Sequence, residues 1–494
     1  MDYILGIDIG TGSTKAVALN LSYETLEVCQ EYYPTSAPRP GYSEQDPGLI
    51  WDAFISCLQG MEKQLGSAPV AIGLSSAMHS LIAVDKSGTH LAPMITWADQ
   101  RSAAIAAAIK DSPAGMELYR NTGTPIHAMS PLCKLIWMTE HNPELVAQTH
   151  KFISIKEYIW HRLFGEFKID HSIASCTGLF DIVALKWHMP ALERAGVRKE
   201  QLSEPVETDY SKKGDKLKLA GLSGFKKTVF VVGASDGCAA NLGSHANQPG
   251  TAALTVGTSG AIRICSAKPI YSGKAMTFNY LLDKQTYICG GPVNNGGLAL
   301  QWLLKNVLGK TELNDEDYQS VFDSAATVTA GSKGLIFLPY LSGERAPIWD
   351  PSSSGAFIGL RLDHGHDELC RAVLEGICYA LNDVLLVVER ASGPISQLHV
   401  SGGFVHSRMW MQLLADITGK KVVLLQTEDA SAVGAAYLAA ANVLPEIGRP
   451  VSSAEDHLAP NPIHHQEYLR MFGIYQQLYG SLHEVMHQLQ PKNS

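Results

Sequence analysis

GIDIGTGSTK, residues 6–15, decides how this chain is read. The apolar run YILGIDI ends on an acid, Asp8, and a Gly/Thr/Ser turn leads straight into a second strand-like run, TKAVALN. That order predicts a β-hairpin whose turn N–H groups form a nest for an anion, with phosphate and Mg2+ as the natural ligand pair. Gly10 and Gly12 alone would suit a plain hairpin turn. With Asp8, Thr11, Ser13 and Lys15 beside them, the turn reads as a phosphate site. Two commoner glycine-rich loops fail on spacing: a dinucleotide fingerprint needs Gly where Lys15 stands, and the Gly309-Lys310-Thr311 triplet has Leu304 where a P-loop needs Gly.

Outward from the hairpin, a long helical pattern from Pro47 to Gly66 leads to strand-like VAIGLSS near 70 and LIAVD near 81, the mark of an α/β domain. Near 229 the grammar restarts with VFVVGAS, then TAALTVGTSG leading into AIRIC and YICGG, then a helix containing Trp302. Element order and the second Gly-Thr turn (LTVGTSG, 254–260), rather than letter identity, imply an architectural duplication. Two facing phosphate hairpins imply a nucleotide between them. Asp236, in GASDG after a buried strand, could be a mere turn cap, but between two phosphate turns it reads as a general base for a hydroxyl attacking a γ-phosphate. The lysine-rich SKKGDKLK (211–218) predicts a solvated loop, and ASAVGAAYLAAA a tightly packed helix. Helical periodicity returns from His465 to Leu489.

At 494 residues the chain exceeds what one core supports, so two domains are expected. The net charge of -9 argues against a nucleic-acid or anionic-membrane surface and leaves a small molecule as partner. Nine scattered cysteines without a C-x-x-C pair suggest neither a disulfide framework nor a zinc site. An acid early in MDYILGIDIG, and no apolar stretch near spanning length, predict a cytoplasmic location. His364, His366, His464 and His465 lack metal-ligand spacing and are expected at the surface.

These motifs, with AMHS and ITWADQR, MSPLCKLIWMTEH (129–141), GAFIGLRLDHGHDELCRAVLE (355–375), SGGFVHSRMWMQLLAD and ASAVGAAYLA, resemble the FGGY carbohydrate kinases over nearly the whole chain. The resemblance implies two RNase H-like α/β domains of the actin and hexokinase kind, residues 1–246 and 247–494, closing on an interdomain active-site cleft. It implies ATP and Mg2+ as cofactors, with Asp8 at the metal and Asp236 as general base. Thr11, Ser13, Lys15, Gly257 and Thr258 would follow the phosphates, and Gly402, Gly403, Phe404 and Ser407 the adenosine. Phe404 replaces the family's usual third glycine there. His79, Trp97, Asp99, Arg101, Lys156 and Asn295 would face the sugar; core packing, a satisfied histidine, a helix-start ion pair and helix capping are the respective alternatives for Trp97, His79, Arg101 and Asn295. Family members are often dimers. Within the family, SSAMHSLIAVD, FISIKEYI, SIASCTGLFD, GTSGAIR, GGPVNNGG and LPYLSGERAP look most like the gluconate-phosphorylating branch. A gluconate carboxylate would need a basic partner, with Arg263, Lys156, Arg101 and Arg345 as candidates. Xylulose or another polyol is the alternative acceptor, and a non-catalytic actin-like nucleotide switch the alternative class.

Overall fold

The computed structural model describes residues 2–273, 275–425, 429–448 and 456–489, the side chains of Ala220 and Phe404 excepted. Its first sheet grows from the opening hairpin. Strand β1 (Tyr3–Ile9) pairs antiparallel with β2 (Ser13–Asn20), Ile9 opposite Thr14, and β2 pairs antiparallel with β3 (Thr25–Tyr32). Helix α1 (Pro47–Leu65) starts on Asp46, whose side chain accepts from the Gly48 amide, has proline at its first position and ends on left-handed Gly66. Its Ile50, Phe54, Cys57, Leu58 and Met61 recur at helical spacing and bury against β2 and β3. Strand β4 (Ala71–Ser76) lies parallel to β1. Helix α2 (Pro131–His141) belongs to a helical body beside the sheet. Edge strand β5 (Ser211–Lys213) and β6 (Val229–Ser235) close the sheet in the order β5-β6-β4-β1-β2-β3.

Helix α3 (Asp236–Gly243) leads to the second sheet, where the same plan repeats. Strand β7 (Thr251–Val256) forms a tight hairpin with β8 (Gly260–Ser266); β9 (Phe278–Leu281) and β10 (Tyr287–Val293) extend that side. After the 27-residue helix α4 (His366–Ser392), β11 (Gln397–Ser401) lies parallel to β7. Helix α5 (Arg408–Thr418) then leads to β12 (Lys421–Leu424), parallel to β11. Helix α6 (Ala430–Val443), the short strand β13 (His457–Leu458) and helix α7 (Pro462–Gln488) complete the described chain. The sheet order is β9-β10-β8-β7-β11-β12-β13. In both sheets a hairpin strand sits beside two parallel strands, so the duplication inferred from element order is present as topology.

The segment expected as a solvated loop at 211–218 begins as edge strand β5, antiparallel to β6. Lysines suit that position because a charged edge discourages further strand addition, and Lys212 pairs with Glu166. The two sheets divide the chain between Ser235 and Thr251, yet packing crosses that line twice. The helical body containing α2 shares its apolar core with the second sheet. In the other direction, α6 lies on β1 and β4 of the first sheet. A Cβ on Gly6 would fall 1.8 Å from the Ala432 carbonyl oxygen, and one on Gly73 1.9 Å from that of Ala435. Small residues on both surfaces are what let helix and sheet backbones touch.

Candidate active site

The residues singled out in the sequence collect where the parallel strands end. Asp8 sits near the end of β1, Ser75 and Ser76 finish β4, Asp236 follows β6, and Gly402 follows β11. In open α/β sheets that edge is where ligands bind. Two adjoining cavities of about 250 and 270 Å3 open there, and Thr11 and Thr255 line both.

One of these recesses, that of about 270 Å3, is walled by Asp8, Gly10, Thr11, Ser13, Lys15 and Asp429, with Gly402 also in its lining. Ser75 donates to Asp8 Oδ1 at 2.7 Å. Burial, reinforced by the nearby charges of Asp236 and Asp429, pushes Asp8 up to about 7. Lys15 answers part of that negative charge through an ion pair with Asp429, which joins β2 to the start of α6. Asp8, facing this recess, is the hard oxygen donor that suits a divalent cation; among the described residues no group of three or more acidic, histidine or cysteine side chains is clustered to hold one. Gly402 has φ 107°, and a Cβ on it would stand 2.3 Å from the Val256 carbonyl oxygen, so only glycine lets β11 turn here against β7. Gly403 is open to solvent. Ser407 caps α5 by accepting from the Trp410 amide, which occupies its hydroxyl locally. Gly257 and Thr258 form the second hairpin's turn, and their carbonyls accept from the amides of Gly296, Gly297 and Leu298. The side chain of Phe404 lies outside the described residues.

The second cavity holds Asp236, His79, Trp97, Arg263, Tyr280 and Arg345 in its wall. Asp236 accepts from the Gly237 amide at 2.7 Å; burial raises its carboxyl above the usual range while the Arg263 guanidinium pulls the other way. His79 adopts φ 65°, unusual for a side-chain residue. Its Nδ1 donates to the Cys176 carbonyl at 2.7 Å, which leaves Nε2 to accept from Tyr280, 3.3 Å away. Burial, with the positive charge of Lys134 adding to it, lowers His79 to about 3, so the ring is neutral. Arg345 spends Nε on Asn294 Oδ1 at 2.6 Å and Nη2 on the Val293 carbonyl at 3.1 Å, beside Glu344 and 5.3 Å over the Trp97 ring.

Four residues expected to face a sugar stand behind the wall. Lys156 is bound to Asp170 at 2.8 Å and the Ala234 carbonyl at 2.7 Å. Arg101 pairs with Asp99 and Glu44 and stacks 3.8 Å over Tyr42, in a different cleft. Asp99 is completed by that arginine and the Ser43 amide. Asn295 donates to the Gly343 carbonyl and Glu344 and accepts from Ser342. Each has its polar groups committed to protein partners.

Two residues were not anticipated. Asp429 directly precedes the small-residue helix, and only its approach to Lys15 and Asp8 reveals it. Lys134, on the apolar face of α2, is fully buried and donates to the carbonyls of His79 and Thr96 at 2.6 and 2.7 Å. A lysine among Leu132, Cys133, Leu135 and Ile136 is a legible signal in PLCKLIW, though not of which carbonyls it holds.

Residues 3–243 match the model of the N-terminal domain of the FGGY family of carbohydrate kinases, and residues 252–443 that of its C-terminal domain. A gluconokinase of Bacillus subtilis strain 168 is 40% identical over 444 residues, 88% of this chain and 86% of that protein. A ligand-bound xylulose kinase structure from Lactobacillus acidophilus superposes with a TM-score of 0.93 at 33% identity, covering 99% of this chain and 100% of its own. A gluconate kinase structure from the same organism gives 0.91 at 34%, covering 97% and 98%. Among the described residues, no helix is long and apolar enough to cross a membrane.

Proposed function

This chain belongs to the FGGY family of carbohydrate kinases, which use ATP and a divalent metal, and on that premise we propose that it transfers the γ-phosphate of ATP to the terminal hydroxyl of D-gluconate, forming 6-phosphogluconate in the cytoplasm. The observation that carries this reading is Asp236: a carboxylate at the end of a parallel strand, facing a cavity that adjoins the recess of the first hairpin and shares Thr11 and Thr255 with it. The substrate assignment draws on the 40% identity to a gluconokinase and on two guanidiniums in the acceptor cavity.

In this reading the acceptor's terminal hydroxyl lies against Asp236. As its oxygen attacks the γ-phosphorus, the hydroxyl proton passes to the carboxylate and the bond to the ADP oxygen breaks. Desolvation raises Asp236 and makes it a better base than an exposed carboxylate. Turn amides from Thr11 to Ser13, with Lys15, stabilise charge on the transferring group, the Gly10 amide being closed onto the Ser13 carbonyl. Mg2+, held near Asp8, supplies neutralisation of the phosphate oxygens when bound. His79, neutral and fixed by Cys176 and Tyr280, and Trp97 position the polyol chain. Lys156, Asp99, Arg101 and Asn295 hold the loops that carry these groups.

Coupled ADP release with MgATP and D-gluconate, D-xylulose, glycerol or no acceptor tests the assignment on wild type and Asp236→Asn. Turnover selective for gluconate and lost by at least about 1000-fold in the variant is expected. Turnover selective for xylulose, the reading favoured by the 0.93 superposition on a xylulose kinase, would leave Asp236 in place and replace the substrate. Acceptor-independent hydrolysis unaffected by the substitution would overturn the mechanism.

A further inference from the structure

The two arginines of the acceptor cavity differ in what they are already bonded to. Arg345 is close to complete, with Nε and Nη2 on protein acceptors and Glu344 beside it. Arg263 is not. Its one hydrogen bond to a described residue runs from Nη1 to the Thr255 hydroxyl at 3.1 Å, and its buried Nε has no partner. It forms no ion pair with a carboxylate among the described residues. A guanidinium taken out of water without its acceptors is costly, and the edge left open, Nε with Nη2, is a fork matched to a carboxylate.

The sequence around it clears the space. A Cβ on Gly237 would stand 3.1 Å from Arg263 Nε and 3.8 Å from its Cζ, and 3.0 Å from Met78 Cε. Any side chain at 237 would therefore compete with the guanidinium. Met78, which shares that spot, is flexible enough to yield to a ligand. Arg263 also stands close enough to Asp236 to be the strongest charge acting on it, yet makes no ion pair with it. Both line one cavity, so a ligand filling it meets a carboxylate for a hydroxyl and a guanidinium for an anionic group.

We propose that Arg263 is the specificity-determining residue of this site, anchoring the carboxylate of an aldonate acceptor through its open edge in the room left by Gly237. The inference rests on the gluconate reading and deepens it. Lys156 and Arg101, tied to Asp170 and to Asp99 with Glu44, have no such edge to offer.

The test is steady-state phosphorylation of D-gluconate by wild type, Arg263→Gln and Arg263→Lys, with melting temperatures recorded alongside. Losing an anchor used equally in ground and transition states should raise KM for gluconate about 100-fold in Arg263→Gln, with kcat kept within about threefold. Arg263→Lys, a point charge without the fork, should recover part of the loss. Should Arg263→Gln fail to fold, a rise of about tenfold in KM for Arg263→Lys decides the matter in the same direction. A fall in kcat at unchanged KM would show that Arg263 serves Asp236 instead, and unchanged kinetics would remove it from the site; either overturns the proposal. Wild type that neither binds nor phosphorylates gluconate would overturn the substrate reading together with this inference, whereas gluconate turnover with normal KM in both variants would overturn the inference alone.

Discussion

The indole Nε1 of Trp97 donates to Oγ1 of Thr11 at 2.9 Å, so the loop that walls the acceptor cavity is bonded directly to the turn of the phosphate hairpin. Both residues line the acceptor cavity, and Thr11 also lines the phosphate recess. The walls of the two cavities, the proposed acceptor and donor sites, are thereby referred to one another across 86 residues of sequence. Trp97→Phe keeps an aromatic ring at this position, though a smaller one, and deletes the bond. A neutral hydrogen bond is worth about 1 kcal/mol, so kcat/KM should fall roughly five- to tenfold with little change in melting temperature. A change smaller than twofold would show the bond to be incidental.

Lys134 makes a pH-dependent stability prediction. Burial lowers its ammonium to about 7, far below the ordinary lysine range. The charged form is therefore disfavoured in the folded state, and the penalty, absent above the unfolded value near 10.5, builds as pH falls and is complete below about 7. Relative to Lys134→Met, the wild type should lose about 2 kcal/mol of unfolding free energy between pH 9 and 7 and nothing more below about 6.5. Urea titrations of both proteins across that range check it, and parallel curves would contradict the shift.

Lys15 faces the phosphate recess while paired with Asp429. Lys15→Met removes a cation from beside the phosphates and leaves Asp429 uncompensated next to Asp8. The expected outcome is a rise of about tenfold in KM for MgATP, with KM for the acceptor unmoved. Equal shifts in both constants would place the effect on closure of the whole site.

Gly73 stands beneath α6 with 1.9 Å between a would-be Cβ and the Ala435 carbonyl oxygen. Gly73→Ala cannot be absorbed by a side-chain rotation, because the obstacle is backbone. It should cost about 3 kcal/mol or more, read as a lowered denaturant midpoint, and lower activity through displaced Asp429 and Lys15. A variant as stable as wild type would mean that the helix can lift off the sheet without penalty.

Much of the site was legible from local order. Asp8 in GIDIGTGSTK lies one residue before the end of a strand, Thr11 and, in GASDG, Asp236 come just after strands, and residues at strand ends have few places to go in an α/β sheet. The acceptor side was less legible. His79 and Trp97 face the cavity, whereas Asp99, Arg101, Lys156 and Asn295 turn to protein partners. All are polar or amphipathic residues in loops or, for Lys156, in the first turn of a helix, and only the positions of Asp170, Glu44 and Gly343 settle which way Lys156, Arg101 and Asn295 turn.

What the sequence by itself determined are the features that repeat every two or 3.6 residues or depend on adjacent letters: the two hairpins, helix α1 with its Asp46 cap and Gly66 stop, and the duplicated element order. The tertiary structure alone decided that α6 of the second half packs on β1 and β4 of the first, that Lys134 spans His79 and Thr96, and that Arg263 is the cavity's guanidinium without a full set of partners. The reason is range. Backbone preference and periodicity are written into neighbouring residues, while the burial of a charge and the identity of its partner depend on groups tens to hundreds of residues away, brought together only when the two sheets and their helices pack.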